Sequence, residues 1–205
     1  MALSRPLVAP LPSAGTLGRA LRPLAGEVLC GDQIGCWSAD GRLRLALADG
    51  LGHGREAHAA AVAAMAQIAG SLGMPLTEVF VRCDHALRST RGVALAVAEI
   101  GPGGGDIQHA AVGNIRTLVI QAGRLRRLGG ARGIVGAGFV GLHAEYLPIV
   151  PGDWLVMFSD GIRENAPIAE GLAGEQAADA VAQRLLARWA RDDDDAALLV
   201  YRHGA

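Results

Sequence analysis

The stretch Leu45-Ala46-Leu47-Ala48-Asp49-Gly50-Leu51-Gly52-His53-Gly54 puts a carboxylate at the tip of an apolar run and follows it with glycines and a histidine. Other acids also stand where apolar runs begin or stop. Asp32 follows Val28-Leu29-Cys30, Asp160 follows the run 154–159, and Asp194 and Asp195 precede the run 196–201. A carboxylate at a buried strand end is costly to desolvate unless positive charge pairs with it. Few cations are close to these acids in sequence. Mg2+ and Mn2+ prefer hard oxygen ligands, so carboxylates brought together from several strand ends would suit them. Gly31, Gly50 and Gly161 flank the acids and would let the backbone come close or lend a carbonyl. A single Asp-Gly pair is ordinary turn chemistry, and the RDDDD run at 191–195 taken alone reads as a solvated helix end. The recurrence at several strand ends is what points to a metal.

The elements that must carry these acids follow from the apolar periods. Leu43, Leu45 and Leu47 alternate with Arg42 and Arg44, the pattern of a half-exposed strand. Residues 16–36 suit two short strands broken at Pro23 and Gly26. Residues 54–72 form an alanine-rich helix, apolar nearly all round and so expected to be buried on more than one side, ended by Gly73 and Pro75. Thr77 is placed to cap a second helix to about Arg88, with Val79, Phe80, Cys83 and Leu87 on one face. Strands are expected at 92–100, 107–112, 116–121, 124–128 and 144–150, with a hairpin turn at GPGGG (101–105) and a glycine-rich loop at 129–141. The continuous apolar run 154–159 suits a central strand. Residues 163–173 read as loop or irregular helix. Residues 175–190 are an amphipathic helix with Ala178, Val181, Leu185 and Trp189 on one stripe, and 196–201 a last strand. Strands, two helices, many strands, then helix and strand describe an α+β layered domain rather than a β-α-β alternation.

The bulk composition narrows the function. The chain has 205 residues, enough for one domain over 14–205 behind a loose tail at 1–13. The formal net charge is −1, and the single basic cluster, Arg124, Arg126 and Arg127, reads as a solvated strand face, so no nucleic-acid partner is expected. The 3 cysteines, Cys30, Cys36 and Cys83, form no C-x-x-C pair and suggest neither a disulfide framework nor a zinc site. Prolines at 6, 10 and 12 interrupt the first apolar run, so no secretory signal is expected, and no window reaches the roughly 18 apolar residues of a membrane span. A cytoplasmic monomer without a membrane segment is the expectation.

The ordered set Gly31-Asp32, Asp49-Gly50-Leu51-Gly52-His53-Gly54, Val112-Gly113-Asn114, Gly152-Asp153, Ser159-Asp160-Gly161 and Asp194-Asp195 before a strand resembles the metal-dependent serine/threonine protein phosphatases of type 2C. More narrowly it is similar to their compact bacterial SpoIIE-like branch. Cys30-Gly31-Asp32, Thr90-Arg91-Gly92 and Gly133-Ile134-Val135-Gly136 are similar to the RsbX type, single-domain phosphatases acting on stressosome signalling proteins. The resemblance spans about residues 20–202. It implies a four-layer αββα sandwich, two stacked antiparallel sheets flanked by helices, with metals at one end. It also implies that Asp49 bridges two divalent cations, Mn2+ or Mg2+, that the Gly50 carbonyl binds one, that Asp32 and Asp194 complete one shell, and that Asp160 completes the other. Asp195 takes the place of the family's Asn or Asp beside the last ligand.

The implied reaction is attack on phosphorus by a metal-bridging hydroxide, without a covalent intermediate. The sequence agrees in having no G-x-S-x-G elbow, and Cys83 lacks a glycine-rich phosphate cradle and reads as core. Of the histidines, His53 is the candidate general acid, with a loop-capping role as its alternative. His58, one turn on, reads as structural, and His85, His109 and His143 are isolated. Arg55 is a candidate for the phosphate, although the family's positioning arginine has no certain match, and Asn114 reads as a turn residue near the site. The expected partner is a phosphorylated protein, a stressosome scaffold or an anti-sigma-factor antagonist. The alternative is a non-catalytic partner-binding module of the same fold. A dinucleotide site at GPGGG lacks the helix and β-α-β context it would need.

Overall fold

A computed structural model describes residues 16–172 and 177–204. The elements are β1 (Leu17–Arg22), β2 (Asp32–Ala39), β3 (Arg42–Gly50), α1 (Gly54–Ala69), α2 (Leu76–Leu87), β4 (Val93–Ile100), β5 (Asp106–Val112), β6 (Arg116–Gln121) and β7 (Arg124–Leu128). There follow β8 (Arg132–Ile134), β9 (Gly138–Val140), β10 (Glu145–Pro148), β11 (Trp154–Phe158), α3 (Ile168–Gly171), α4 (Ala178–Trp189) and β12 (Ala196–Arg202). Two antiparallel sheets of five strands result, ordered β10-β5-β4-β3-β2 and β1-β12-β11-β6-β7, with β8 and β9 as a separate small hairpin.

Successive side chains on a strand point to opposite faces, so a strand buried on both faces feeds two cores. On β3, Leu45 and Leu47 face the second sheet, where Leu155, Met157 and Leu199 meet them. Ala46 and Ala48 face outward against Ala60, Ala64 and Phe80 of α1 and α2. On β11, Leu155 and Met157 point inward, while Val156 and Phe158 point outward against Val181 and Leu185 of α4. Three apolar layers thus separate four structural layers, helices, sheet, sheet and helices, which is the αββα sandwich expected.

Several details differ from the sequence reading. β3 is not half-exposed: Arg44 is 1% exposed and lies under the α1–α2 connection. Its Nε donates to Glu99 Oε2 at 2.8 Å, and its guanidinium also donates to the carbonyls of Ser71 and Met74, each at 2.8 Å. Alternation with arginine suggested solvent because the neutralising Glu99 lies on β4, far along the chain. α1 buries one face only, through Ala57, Ala60, Ala61, Ala64 and Ile68, and Val62 is 44% exposed. Alanine fills both faces because it favours helix at little burial cost, so an apolar surround did not mean a buried surround. The helix stops at Gly70, before Gly73, and α2 begins at Leu76 behind Pro75, so Thr77 is not its cap.

Val28-Leu29-Cys30 is not a strand. Val28 is 92% exposed, and Asp32 opens β2 instead of closing a strand. The loop at 129–141 contains the β8–β9 hairpin. Val135 exchanges backbone hydrogen bonds with Val93, and Asp84 of α2 accepts from the N–H groups of Gly136 and Gly138 at 2.8 and 3.1 Å. GPGGG turns the chain between β4 and β5, as expected. The tail at 1–13 lies outside the described residues, as does the start of the last expected helix, which is seen from Ala178. Among the described residues no helix is long and apolar enough to cross a membrane.

Removing Glu99 would leave the Arg44 charge buried without its counter-ion. Glu99→Ala is expected to lower the stability by about 3–5 kcal/mol, the cost of breaking one side of a buried ion pair. Urea unfolding followed by circular dichroism reads this as a lower midpoint at unchanged slope, and a loss below about 1 kcal/mol would match an exposed pair instead.

Candidate metal centre

The ends of both sheets bring the acids together. Asp32, at the start of β2, is the cross-strand partner of Asp49, near the end of β3. Asp160 follows β11, and Asp194 and Asp195 precede β12, which pairs antiparallel with β11. The end of one strand and the start of its antiparallel neighbour lie at the same edge. The Ser159 hydroxyl joins the two sheets there: it donates to Asp32 Oδ2 at 2.6 Å and accepts from the Ala197 N–H at 2.9 Å.

Asp49, Asp160 and Asp194 border one cavity of about 540 Å3, which His53, Asn114 and Arg132 also line. Asn114 donates to Asp160 Oδ2 at 2.7 Å, so the expected turn residue also orients an acid. Asp32 does not border the cavity; it is 1% exposed, behind Asp49 and under Ser159. Asp195 is likewise set back, its Oδ1 accepting from the Leu24 N–H at 2.9 Å while its buried Oδ2 has no hydrogen-bond partner among the described residues. Of the two adjacent acids, Asp194 is therefore the one that faces the cavity.

Glycine is required beside these acids because backbone crowds them. A Cβ on Gly50 would fall 2.1 Å from the Ala57 carbonyl oxygen of α1, and one on Gly161 would fall 1.8 Å from that of Asp195. Gly152-Asp153 belongs to the opposite end of the sandwich. Asp153 Oδ2 accepts from Val150 N–H and Gln121 Nε2 at 2.9 and 2.7 Å, which is turn chemistry.

Burial and like charge act together on the carboxylates. Burial pushes the Asp49 carboxyl up to about 9, with Asp32, Asp160 and Asp194 adding to the shift. Asp32 rises to about 7, chiefly through burial, against the opposing hydrogen bond from Ser159. Asp194 is also raised, by burial and by Asp160. Among the described residues no three metal-binding side chains already stand as a closed ligand set. The donor chemistry nevertheless fits a hard divalent cation: oxygen ligands only, too little positive charge nearby, and acids whose ionised forms are disfavoured until a cation arrives.

Three of the histidines sit in different settings. His58 contacts the Cys30 carbonyl at 2.8 Å and ties α1 to the β1–β2 loop. His109 is buried against Thr117 at 3.0 Å, and burial lowers it to about 4, so it is neutral. His53 borders the cavity, and its Nδ1 lies 2.9 Å from Glu27 Oε1. Sequence reasoning missed Glu27 and Arg132. Glu27 lies in an irregular loop with no motif around it, and Arg132 directly precedes the Gly133–Gly136 motif in a segment read as a glycine-rich loop.

Two stacked antiparallel sheets flanked by helices, with carboxylates gathered at one end, are the architecture of the PP2C fold. The chain belongs to the family described as Stage II sporulation protein E (SpoIIE), whose pattern matches residues 39–204. It is 27% identical over 94 residues to the phosphoserine phosphatase RsbX of Bacillus subtilis (strain 168), a match covering 46% of this chain and 47% of that protein. The chain thus spans about half the length of that curated relative. A solved structure described as "The bacterial stressosome: a modular system that has been adapted to control secondary messenger signaling" superposes with a TM-score of 0.87 at 32% identity, covering 91% of this chain and 98% of the other. RsbX in complex with magnesium superposes with a TM-score of 0.81 at 19% identity, over 91% of this chain and 94% of the other, which bears on the fold.

Raised carboxyl pKa values make the metal-free protein sensitive to alkali. A group whose folded pKa exceeds its unfolded value contributes fully below the unfolded value, about 4 for a carboxyl, and the contribution is lost as pH rises through the folded one. For Asp32 and Asp49 the loss therefore begins above about 4 and is complete near 7 and near 9 respectively. In chelator, the melting temperature should fall as pH rises from roughly 6 to 8.5, and saturating Mn2+ should flatten the fall by selecting the ionised carboxylates. A chelated protein whose melting temperature stays level or rises across that window would contradict the account.

Proposed function

We propose that this chain is a metal-dependent protein phosphatase that hydrolyses phosphoserine or phosphothreonine on bacterial signalling proteins. The observation that carries the reading is the convergence of Asp49, Asp160 and Asp194 on one cavity, with Asp49 held well above the usual carboxylate range. Asp49, Asp160, Asp194 and the Gly50 carbonyl would hold the divalent cations, Mn2+ or Mg2+, with the buried Asp32 beside Asp49 on the neighbouring strand. Cations bound there supply the charge that offsets the phosphoryl oxygens and the acidity that activates a water.

The chain's own groups handle the substrate. Among the described residues the cavity wall offers no Ser, Thr or Cys nucleophile, and attack by water is the proposed route. Arg132, exposed on β8, brings a guanidinium to a wall otherwise dominated by acids and is suited to a phosphate dianion. Asn114 holds Asp160 in place. His53 is the group positioned to give a proton to the departing seryl or threonyl oxygen. A stressosome scaffold or an anti-sigma-factor antagonist is the proposed substrate class, supported by the likeness to RsbX and to the stressosome-associated structure. A non-catalytic module of the same fold would have no use for acids kept at this electrostatic cost.

Hydrolysis of 4-nitrophenyl phosphate and of a phosphoserine peptide, with Mn2+, Mg2+ or chelator, tests the reading. Turnover should require metal. Asp49→Asn and Asp160→Asn should each lose more than the roughly 10–100-fold typical of an outer-shell partner. A folded wild type that binds no Mn2+ by calorimetry and turns over neither ester would leave the binding-module reading. Arg132→Ala should raise KM for the phosphopeptide by about 10-fold or more, the worth of a hydrogen bond to a charged group, with metal affinity unchanged. An unchanged KM would remove Arg132 from the phosphate site.

A further inference from the structure

We infer that Glu27 is the positioning residue for His53, forming a carboxylate–imidazole pair at the mouth of the acid-lined cavity. The inference rests on the phosphatase reading and names a residue that reading does not contain. Glu27 comes from the loop between β1 and β2, outside every motif of the sequence. Its Oε1 lies 2.9 Å from His53 Nδ1. An ionised carboxylate can only accept, so Nδ1 is the donor. Nε2 is then the ring nitrogen left for the cavity, with no protein partner among the described residues.

The local backbone is built around this contact. Gly54, the first residue of α1, has φ +74, and a Cβ there would stand 3.0 and 3.1 Å from the two Glu27 carboxylate oxygens. Glycine at 54 therefore lets the carboxylate reach the ring. His53 occupies the helix N-cap position but makes no side-chain cap to α1, so capping does not account for its orientation. Arg91, beside Gly52, is engaged by Glu56.

The chemistry follows from the pair. Glu27 holds Nδ1–H and fixes the plane of the ring, as a carboxylate does for a proton-transferring histidine. As the phosphorus–oxygen bond to the seryl oxygen breaks, its electron pair stays on that oxygen and the proton on His53 Nε2 moves to it. His53 is left neutral, with Nδ1–H still on Glu27. The attacking water's oxygen forms the new bond to phosphorus, its surplus proton goes to solvent, and solvent reprotonates His53. The balance is phosphoserine dianion plus water to serine plus hydrogenphosphate.

The leaving group separates this role from a structural one. 4-Nitrophenolate departs without a proton and serine does not. Glu27→Gln should lower kcat on a phosphoserine peptide by roughly 10–100-fold, part of the about 10²–10⁴-fold a positioned acid supplies, and by far less on 4-nitrophenyl phosphate. The double variant with His53→Ala should be no slower than His53→Ala alone, because the two act as a unit. In metal-free wild type at a pH where His53 is neutral, nitrogen-15 NMR should show Nδ1 protonated, and Glu27→Gln should weaken that preference. Equal losses on both esters, additive losses in the double variant, or an Nε2-protonated wild type would overturn the role while leaving the phosphatase reading intact. A wild type inactive on both esters with Mn2+ would overturn both.

Discussion

Asp32, Asp49, Asp160 and Asp194 crowd one end of the stacked sheets, and burial with neighbouring like charge makes Asp32, Asp49 and Asp194 harder to ionise. No folding advantage comes from placing like charges together at a buried strand end. The surrounding structure has to hold them against their repulsion. Ser159 does so across the sheets, Asn114 does so for Asp160, and the cross-strand register of β2 and β3 fixes Asp32 against Asp49. Behind these contacts stand the apolar layers that set both sheets rigidly. A site built on strand ends over a packed core is stiff enough to keep ligands poised before a cation arrives.

The same constraint explains the backbone around the acids. α1 comes down on the end of β3 so closely that Gly50 can carry no side chain, and the residues after β11 run equally close to those before β12. The chain thereby gathers loop ends from both sheets without widening the sandwich. The β8–β9 hairpin, tied to α2 through Asp84, closes one wall and presents Arg132. Acids that would bind metal form the floor, and groups that would meet a phosphoester form the rim.

Much of the floor was legible in the sequence. Asp49, Asp160 and Asp194 sit beside apolar runs whose period identifies strands, and Asp-Gly marks where the strands stop. The layered α+β architecture followed from the element order. What could not be read depended on partners distant in sequence. Arg44 looked solvated because Glu99 is invisible to local pattern, and nothing local shows that Ser159 covers Asp32. Glu27 lies in an irregular loop and Arg132 opens a three-residue strand too short to show a period, so residue type carried no orientation at either. Alanine misled in the opposite sense, since in α1 it reports helix preference and not burial.

The most direct test of the central claim is a crystal of the Mn2+-loaded protein with anomalous scattering measured at the manganese edge. The account predicts two peaks inside the cavity bordered by Asp49, Asp160 and Asp194, about 3.5–4 Å apart, with Asp49 between them. No peak in that cavity at saturating Mn2+, or manganese bound elsewhere with these carboxylates unengaged, would contradict it.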